Sequence, residues 1–135
     1  LMPGALENLQ LFSQKFRLCL LTQGRTEAQK QKVESLGIAH FFSAMYFADP
    51  RKNESKGSFF QQIWQNSNLP AEKIISIGNR RSTDIREAKK WGMTTCLFHY
   101  GEHDNETIQV PEDAPDFTVK NHSELSILCR QICQT

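Results

Sequence analysis

The chain has 135 residues, with 16 Lys and Arg against 15 Asp and Glu and a formal net charge of +1. That length fits one domain with its own core, so residues 1–135 are read as a single unit. The near-neutral charge argues against a nucleic-acid binder that works by bulk positive charge. Nine Phe, two Trp and 39% hydrophobic residues argue against a disordered chain.

No apolar run approaches the roughly 18–20 residues of a membrane span. The start, Leu1-Met2-Pro3-Gly4, lacks the charged and apolar stretches of a secretory signal, so the cytoplasm is the expected compartment. Cys19, Cys96, Cys129 and Cys133 form no Cys-x2-Cys pair, which speaks against zinc. Cys19 and Cys96 lie in apolar strand-like runs and are expected to be small buried hydrophobes.

Leu6, Leu9, Leu11 and Phe12 fall at helical spacing, and Phe16 to Leu21 reads as a strand buried on both faces. Thr26 with Gln29 three residues on predicts a capping box, opening a helix that Gly37 ends. Met45 to Ala48 is a strand closed by Asp49-Pro50, and Arg51 and Lys52 behind it read as solvated surface. Phe59, Phe60, Ile63 and Trp64 mark a helix, and Ile74 to Ile77 a strand ended by Gly78. A helix is predicted from Ser82 to Trp91, then a strand from Met93 to Phe98. Residues 101–116 carry mostly loop signals. Phe117 to Val119 is a last strand, and Ser123 is expected to cap a terminal helix.

This alternation predicts an α/β fold, a three-layer Rossmann-like sandwich with a mostly parallel sheet. Reactive groups in such sheets collect at the carboxyl ends of the strands. Thr22-Gln23-Gly24 follows the first strand, where a hydroxyl and backbone N–H groups leading into a helix can cradle an anion. The alternative is a plain turn. Lys56 precedes a helix and can offer a point charge to a phosphate, or simply be solvated. Gly78-Asn79-x4-Asp84 offers a carboxamide and a carboxylate oxygen on one loop, a pair suited to Mg²⁺. Asp84 as a plain helix cap is the competing reading. Arg80 and Arg81 read as an exposed pair, and His99, His103 and Asp104, around Tyr100-Gly101-Glu102, as loop residues at a substrate edge rather than a metal cluster.

Together, Thr22 after a strand, Lys56 before a helix and Gly78-Asn79-x4-Asp84 after a strand resemble motifs II, III and IV of the haloacid dehalogenase-like (HAD) hydrolases. Pro3-Gly4-Ala5-Leu6, Trp91-Gly92-Met93-Thr94-Thr95 and Pro115-Asp116-Phe117-Thr118-Val119 are similar to that family's flanking segments, so the resemblance covers the whole chain. It implies a Mg²⁺-dependent phosphoric-ester hydrolase acting through an aspartyl-phosphate on a small phosphorylated substrate. Thr22, Gln23, Gly24 and Lys56 would bind phosphate, with Thr22 and Lys56 in catalytic roles, and Asp84 and Asn79 would hold the metal.

The family's motif I, an apolar strand ending in Asp-x-Asp, does not occur before residue 22. The chain therefore reads as the C-terminal part of a larger hydrolase, inactive by itself. The missing central strand would come from an upstream segment or a second chain, or the sheet would be rearranged. Without it, the Leu18–Leu21 and Ile74–Ile77 strands each lose a neighbour. The 34 residues from Thr22 to Lys56 are filled by a helix and a strand, which leaves no room there for a cap domain. Asn79 stands where most members carry Asp, and the loss of a negative charge should weaken metal binding. The rival from a different class is a non-catalytic phosphate-binding or interaction protein. A dehalogenase, which works without Mg²⁺, has less use for Asp84. No nucleic-acid or membrane partner is expected.

Overall fold

Apolar periodicity and Gly/Pro punctuation place the elements close to where the sequence predicts them. The computed structural model describes residues 1–100 and 105–133. It divides into two compact units, residues 1–59 and 60–135.

In the first unit, helix α1 (Ala5–Lys15) buries Ala5, Asn8 and Phe12. Phe12 meets Phe16 edge to face at 6.2 Å. Strand β1 (Cys19–Gln23) is followed by α2 (Thr26–Leu36) and β2 (Ala44–Ala48). The two strands run parallel, Cys19 opposite Ala44 and Gln23 opposite Ala48. Such a pair needs a crossover, and α2 supplies it. Gly37 ends α2 at φ 68° as predicted.

Three expectations in this unit are corrected. β1 begins at Cys19 rather than Phe16, and none of its residues is fully buried. Cys19 is exposed. Among the described residues β1 pairs with β2 alone, and a two-stranded sheet leaves its side chains less covered than those of a central strand. The capping box is also absent. Thr26 is the first residue of α2, and its N–H and hydroxyl both donate to Asp49 Oδ2, at 3.3 and 3.4 Å.

Helix α3 (Gly57–Ser67) carries the division between the units. In the second unit β3 (Ile75–Gly78), β4 (Thr94–Phe98) and β5 (Phe117–Val119) form a parallel sheet in that order. Ile75 lies opposite Thr94 and Cys96 opposite Phe117. β4 is central and nearly all buried, as expected of a parallel strand covered on both faces. Ile85, Ala88, Met93, Cys96, Leu97, Val119, Leu125 and Cys129 make the core around it. Full burial of Ile85 and Leu97 contributes on the order of 1.5–3 kcal/mol each.

The predicted Ser82–Trp91 helix is two pieces, a wide π-type turn (Arg81–Ile85) and a short α4 (Arg86–Lys90). In that turn the Arg86 N–H reaches back five residues to the Arg81 carbonyl. The last helix, α5 (His122–Cys133), is capped by Asn121, whose side chain accepts from the Glu124 N–H at 2.9 Å, and not by Ser123. Asp116, just before β5, accepts from the Thr95 N–H at 2.8 Å and ties the strand's entry to β4. Among the described residues no helix is long and apolar enough to cross a membrane.

Candidate active site

Thr22 and Gln23 close β1, and Gly24 turns the chain toward α2 at φ 149°, a conformation open only to glycine. A side chain at 24 would also meet the Gln29 amide, with Nε2 2.6 Å from a built Cβ. Gln29 Oε1 accepts from the Thr22 hydroxyl at 3.1 Å. The backbone donors expected to cradle an anion are partly taken. The Gly24 N–H donates to the Ala48 carbonyl at 2.9 Å, continuing the strand ladder. The Thr26 N–H at the start of α2 faces Asp49. Gly24 thus supplies room rather than a donor.

Asp49, at the carboxyl end of β2, is fully buried and collects donors from two segments. Besides Thr26 it accepts from the Arg51 N–H at 3.0 Å, Arg51 Nε at 3.3 Å and Nη2 at 3.1 Å. The Arg51 guanidinium holds this carboxyl well below the usual carboxylate range, with the Arg51 and Thr26 N–H groups adding to the shift and burial opposing it. Arg51 is exposed, as the sequence suggests, and is at the same time the structural partner of Asp49. Lys56 stands half-buried directly before α3, its carbonyl accepting from the Phe59 N–H at 3.0 Å. An open groove of about 500 Å³ in this unit runs along Lys30, Tyr46, Phe47, Lys52 and Phe59, and neither Thr22 nor Lys56 lines it.

In the second unit, Asn79 and Asp84 share one turn after β3. Asp84 is buried and fixed from three sides. Its carbonyl accepts from the Ser76 hydroxyl at 2.8 Å, its Oδ2 from the Arg80 N–H at 3.2 Å, and its carboxylate lies in the space where a Cβ on Gly78 would sit. Asn79 Nδ2 donates to the Tyr100 carbonyl at 3.1 Å, which turns its Oδ1 the other way. These are hard oxygen donors, the chemistry Mg²⁺ takes, usually with one or two carboxylates plus waters and phosphate. Among the described residues no group of three His, Cys, Asp or Glu could hold a metal unaided.

Segment 105–116 braces this turn. Glu106 accepts from the Arg81 N–H at 2.9 Å and the Ser82 hydroxyl at 2.7 Å, and Asp113 pairs with Arg86. Arg80 and Arg81 are half-buried with partners of their own rather than an exposed pair, Arg80 Nε on Ser82 and Arg81 Nη1 on the Asp113 carbonyl. The His99 N–H bonds the Val119 carbonyl at 2.8 Å, and Glu102, His103 and Asp104 lie outside the described residues. Thr22, Gln23, Gly24 and Lys56 thus stand in the first unit, Asn79 and Asp84 in the second. Sequence reasoning missed Gln29, Asp49, Glu106 and Asp113. An acidic residue just after a strand, as Asp49 is, was the one usable signal.

A family model for HAD-hydrolase-like proteins matches residues 55–125, more than half of the chain. The chain belongs to this family. Its HAD-type fold agrees with the solved structure of the HAD-hydrolase YfnB from Bacillus subtilis, which is bound to magnesium. The TM-score is 0.79 at 21% identity, over 94% of this chain and 55% of that one. The glyceraldehyde 3-phosphate phosphatase of Methanopyrus kandleri is 27% identical over 93% of this chain and 54% of its own. The glyceraldehyde 3-phosphate phosphatase of Pyrococcus abyssi is 32% identical over 74% of this chain and 43% of its own. The HAD-like chain spans about half the length of the curated relatives it matches.

Proposed function

We propose that residues 1–135 are part of the core domain of a HAD phosphatase, a Mg²⁺-dependent phosphoric-ester hydrolase acting on a small phosphorylated substrate. Phosphatase relatives support the reaction class. The observation that carries it is the Asp84 carboxylate, held against Gly78 beside the Asn79 amide at the carboxyl end of a parallel strand. In this reading Asp84 and Asn79 Oδ1 hold Mg²⁺, which neutralises charge on the phosphoryl oxygens when bound. Thr22 donates to a phosphoryl oxygen, with the Gln23 segment beside it, and Lys56 offsets negative charge.

The attacking aspartate and its acid/base partner come from a segment or chain outside residues 1–135. Among the described residues β1 and β2 form a sheet of only two strands, which supports an added strand beside it. An unpaired sheet edge is an open template for pairing.

One observation favours the non-catalytic rival: Asp49 and the Ala48 carbonyl already take donors at the start of α2. Release of phosphate from p-nitrophenyl phosphate separates the two readings, measured on the protein with its upstream segment. The hydrolase reading expects Mg²⁺-dependent release, lowered about 100-fold or more by Lys56→Ala. No Mg²⁺-dependent release with Lys56 intact would favour the rival. Residues 1–135 alone are expected to show none.

A further inference from the structure

Thr22 and Gln29 meet seven residues apart, the Thr22 hydroxyl donating to Gln29 Oε1 at 3.1 Å. Both are half-buried. Gln29 is placed by its backbone, whose N–H donates to the Arg25 carbonyl at 2.9 Å, and its amide lies over Gly24. There the amide nitrogen stands 2.6 Å from where a Cβ would be, so the glycine is what makes room for it. Among the described residues that nitrogen has no acceptor.

A hydroxyl has one proton to give. While Thr22 gives it to Gln29 Oε1, that proton is not available to a phosphoryl oxygen. A half-turn of the carboxamide exchanges Oε1 and Nε2 within nearly the same shape. Nε2 then donates to Thr22 Oγ1, and the Thr22 proton is left for a phosphoryl oxygen. We propose that Gln29 is a positioning residue for the phosphate site, its amide turning from acceptor to donor on Thr22 when phosphate arrives. This rests on the reading of Thr22 as a phosphate-binding residue.

The test is a titration of the ¹⁵N-labelled protein, with its upstream segment, with inorganic phosphate. It follows the backbone amides of Gln23 and Gly24 and the side-chain amide of Gln29. In the wild type the Gln29 side-chain protons shift with the same dissociation constant as the backbone amides. A purely structural glutamine would leave them in place. Thr22→Val is expected to weaken phosphate about tenfold or more, and Gln29→Met about fivefold, the range for one hydrogen bond. If Thr22→Val binds phosphate like the wild type, or the wild type shows no shifts, the phosphate reading fails and takes the proposal with it. If Thr22→Val weakens binding but Gln29→Met does not, or the Gln29 side-chain protons stay in place, Gln29 has no such role and the reading of Thr22 stands. Should Gln29→Met fail to fold, the wild-type side-chain signal decides.

Discussion

Arg86 and Asp113, 27 residues apart in the chain, form a paired fork, Nε to Oδ1 at 2.6 Å and Nη2 to Oδ2 at 2.9 Å. Asp113 is fully buried, and its Oδ2 also accepts from the Gln109 and Val110 N–H groups at 2.8 and 3.3 Å. Arg86 follows the turn that carries Asp84. The pair therefore ties that turn to the segment crossing from β4 to β5, and Glu106 makes a second tie. Two-toothed guanidinium–carboxylate contacts of this kind fix geometry as well as charge.

Removing the cation leaves a buried carboxylate with backbone donors only. Arg86→Met is expected to lower Tm by about 5–10 °C, and Arg86→Lys by less but still measurably, because Lys cannot span both oxygens. Thermal unfolding followed by circular dichroism checks both. Equal melting of Arg86→Met and the wild type would mean that the pair contributes nothing.

The same pair sets an acid limit. Arg86, helped by the Gln109 and Val110 N–H groups and opposed by burial, lowers the Asp113 carboxyl to about 2. Its folded-state value lies below the unfolded one, near 3.9. The stabilisation is therefore fully present above about pH 4 and is lost as pH falls toward 2. Urea unfolding between pH 5 and 2.5 should show a shallower loss of stability in Asp113→Asn than in the wild type. Parallel profiles would contradict this.

Gly78→Ala drives a methyl into the Asp84 carboxylate and displaces it. Mn²⁺ binding, read by electron paramagnetic resonance as a stand-in for Mg²⁺, is expected to weaken about tenfold or more in the protein with its upstream segment. Asp84→Asn should weaken it similarly. Unchanged Mn²⁺ binding in both variants would remove the metal role of this turn.

Burial pushes the Cys96 thiol up to about 12, with neighbouring Cys129 adding to the shift, so no reactive thiolate forms near neutral pH. Cys19 is exposed. Brief iodoacetamide treatment of the native chain at pH 8, read by peptide mass spectrometry, should label Cys19 and spare Cys96 and Cys129. Labelling of Cys96 at the rate of Cys19 would show that the core opens readily.

Much of this architecture is written locally. Ala44–Ala48 and Phe117–Val119 lie where their apolar runs put them, and Gly37 stops its helix where it was expected. The residues at the ends of two strands, Thr22 and the Gly78–Asp84 stretch, were legible because a parallel α/β order points to the carboxyl ends. The cap of α2 was not, since Thr26 and Gln29 match a capping box in spacing while the actual acceptor, Asp49, lies 23 residues away.

By itself, then, the sequence determined the order of elements, the parallel class and the candidate residues, because periodicity and turn chemistry act over a few neighbours. Only the tertiary structure decided which partners those residues take. It gave the Thr22 proton to Gln29, the start of α2 to Asp49, and the turn around Asp84 to Glu106, Arg86 and Asp113. Charges and hydrogen-bonding groups brought together by folding carry no fixed spacing. Burial makes each such group find a partner, and the partner's position in the chain does not matter.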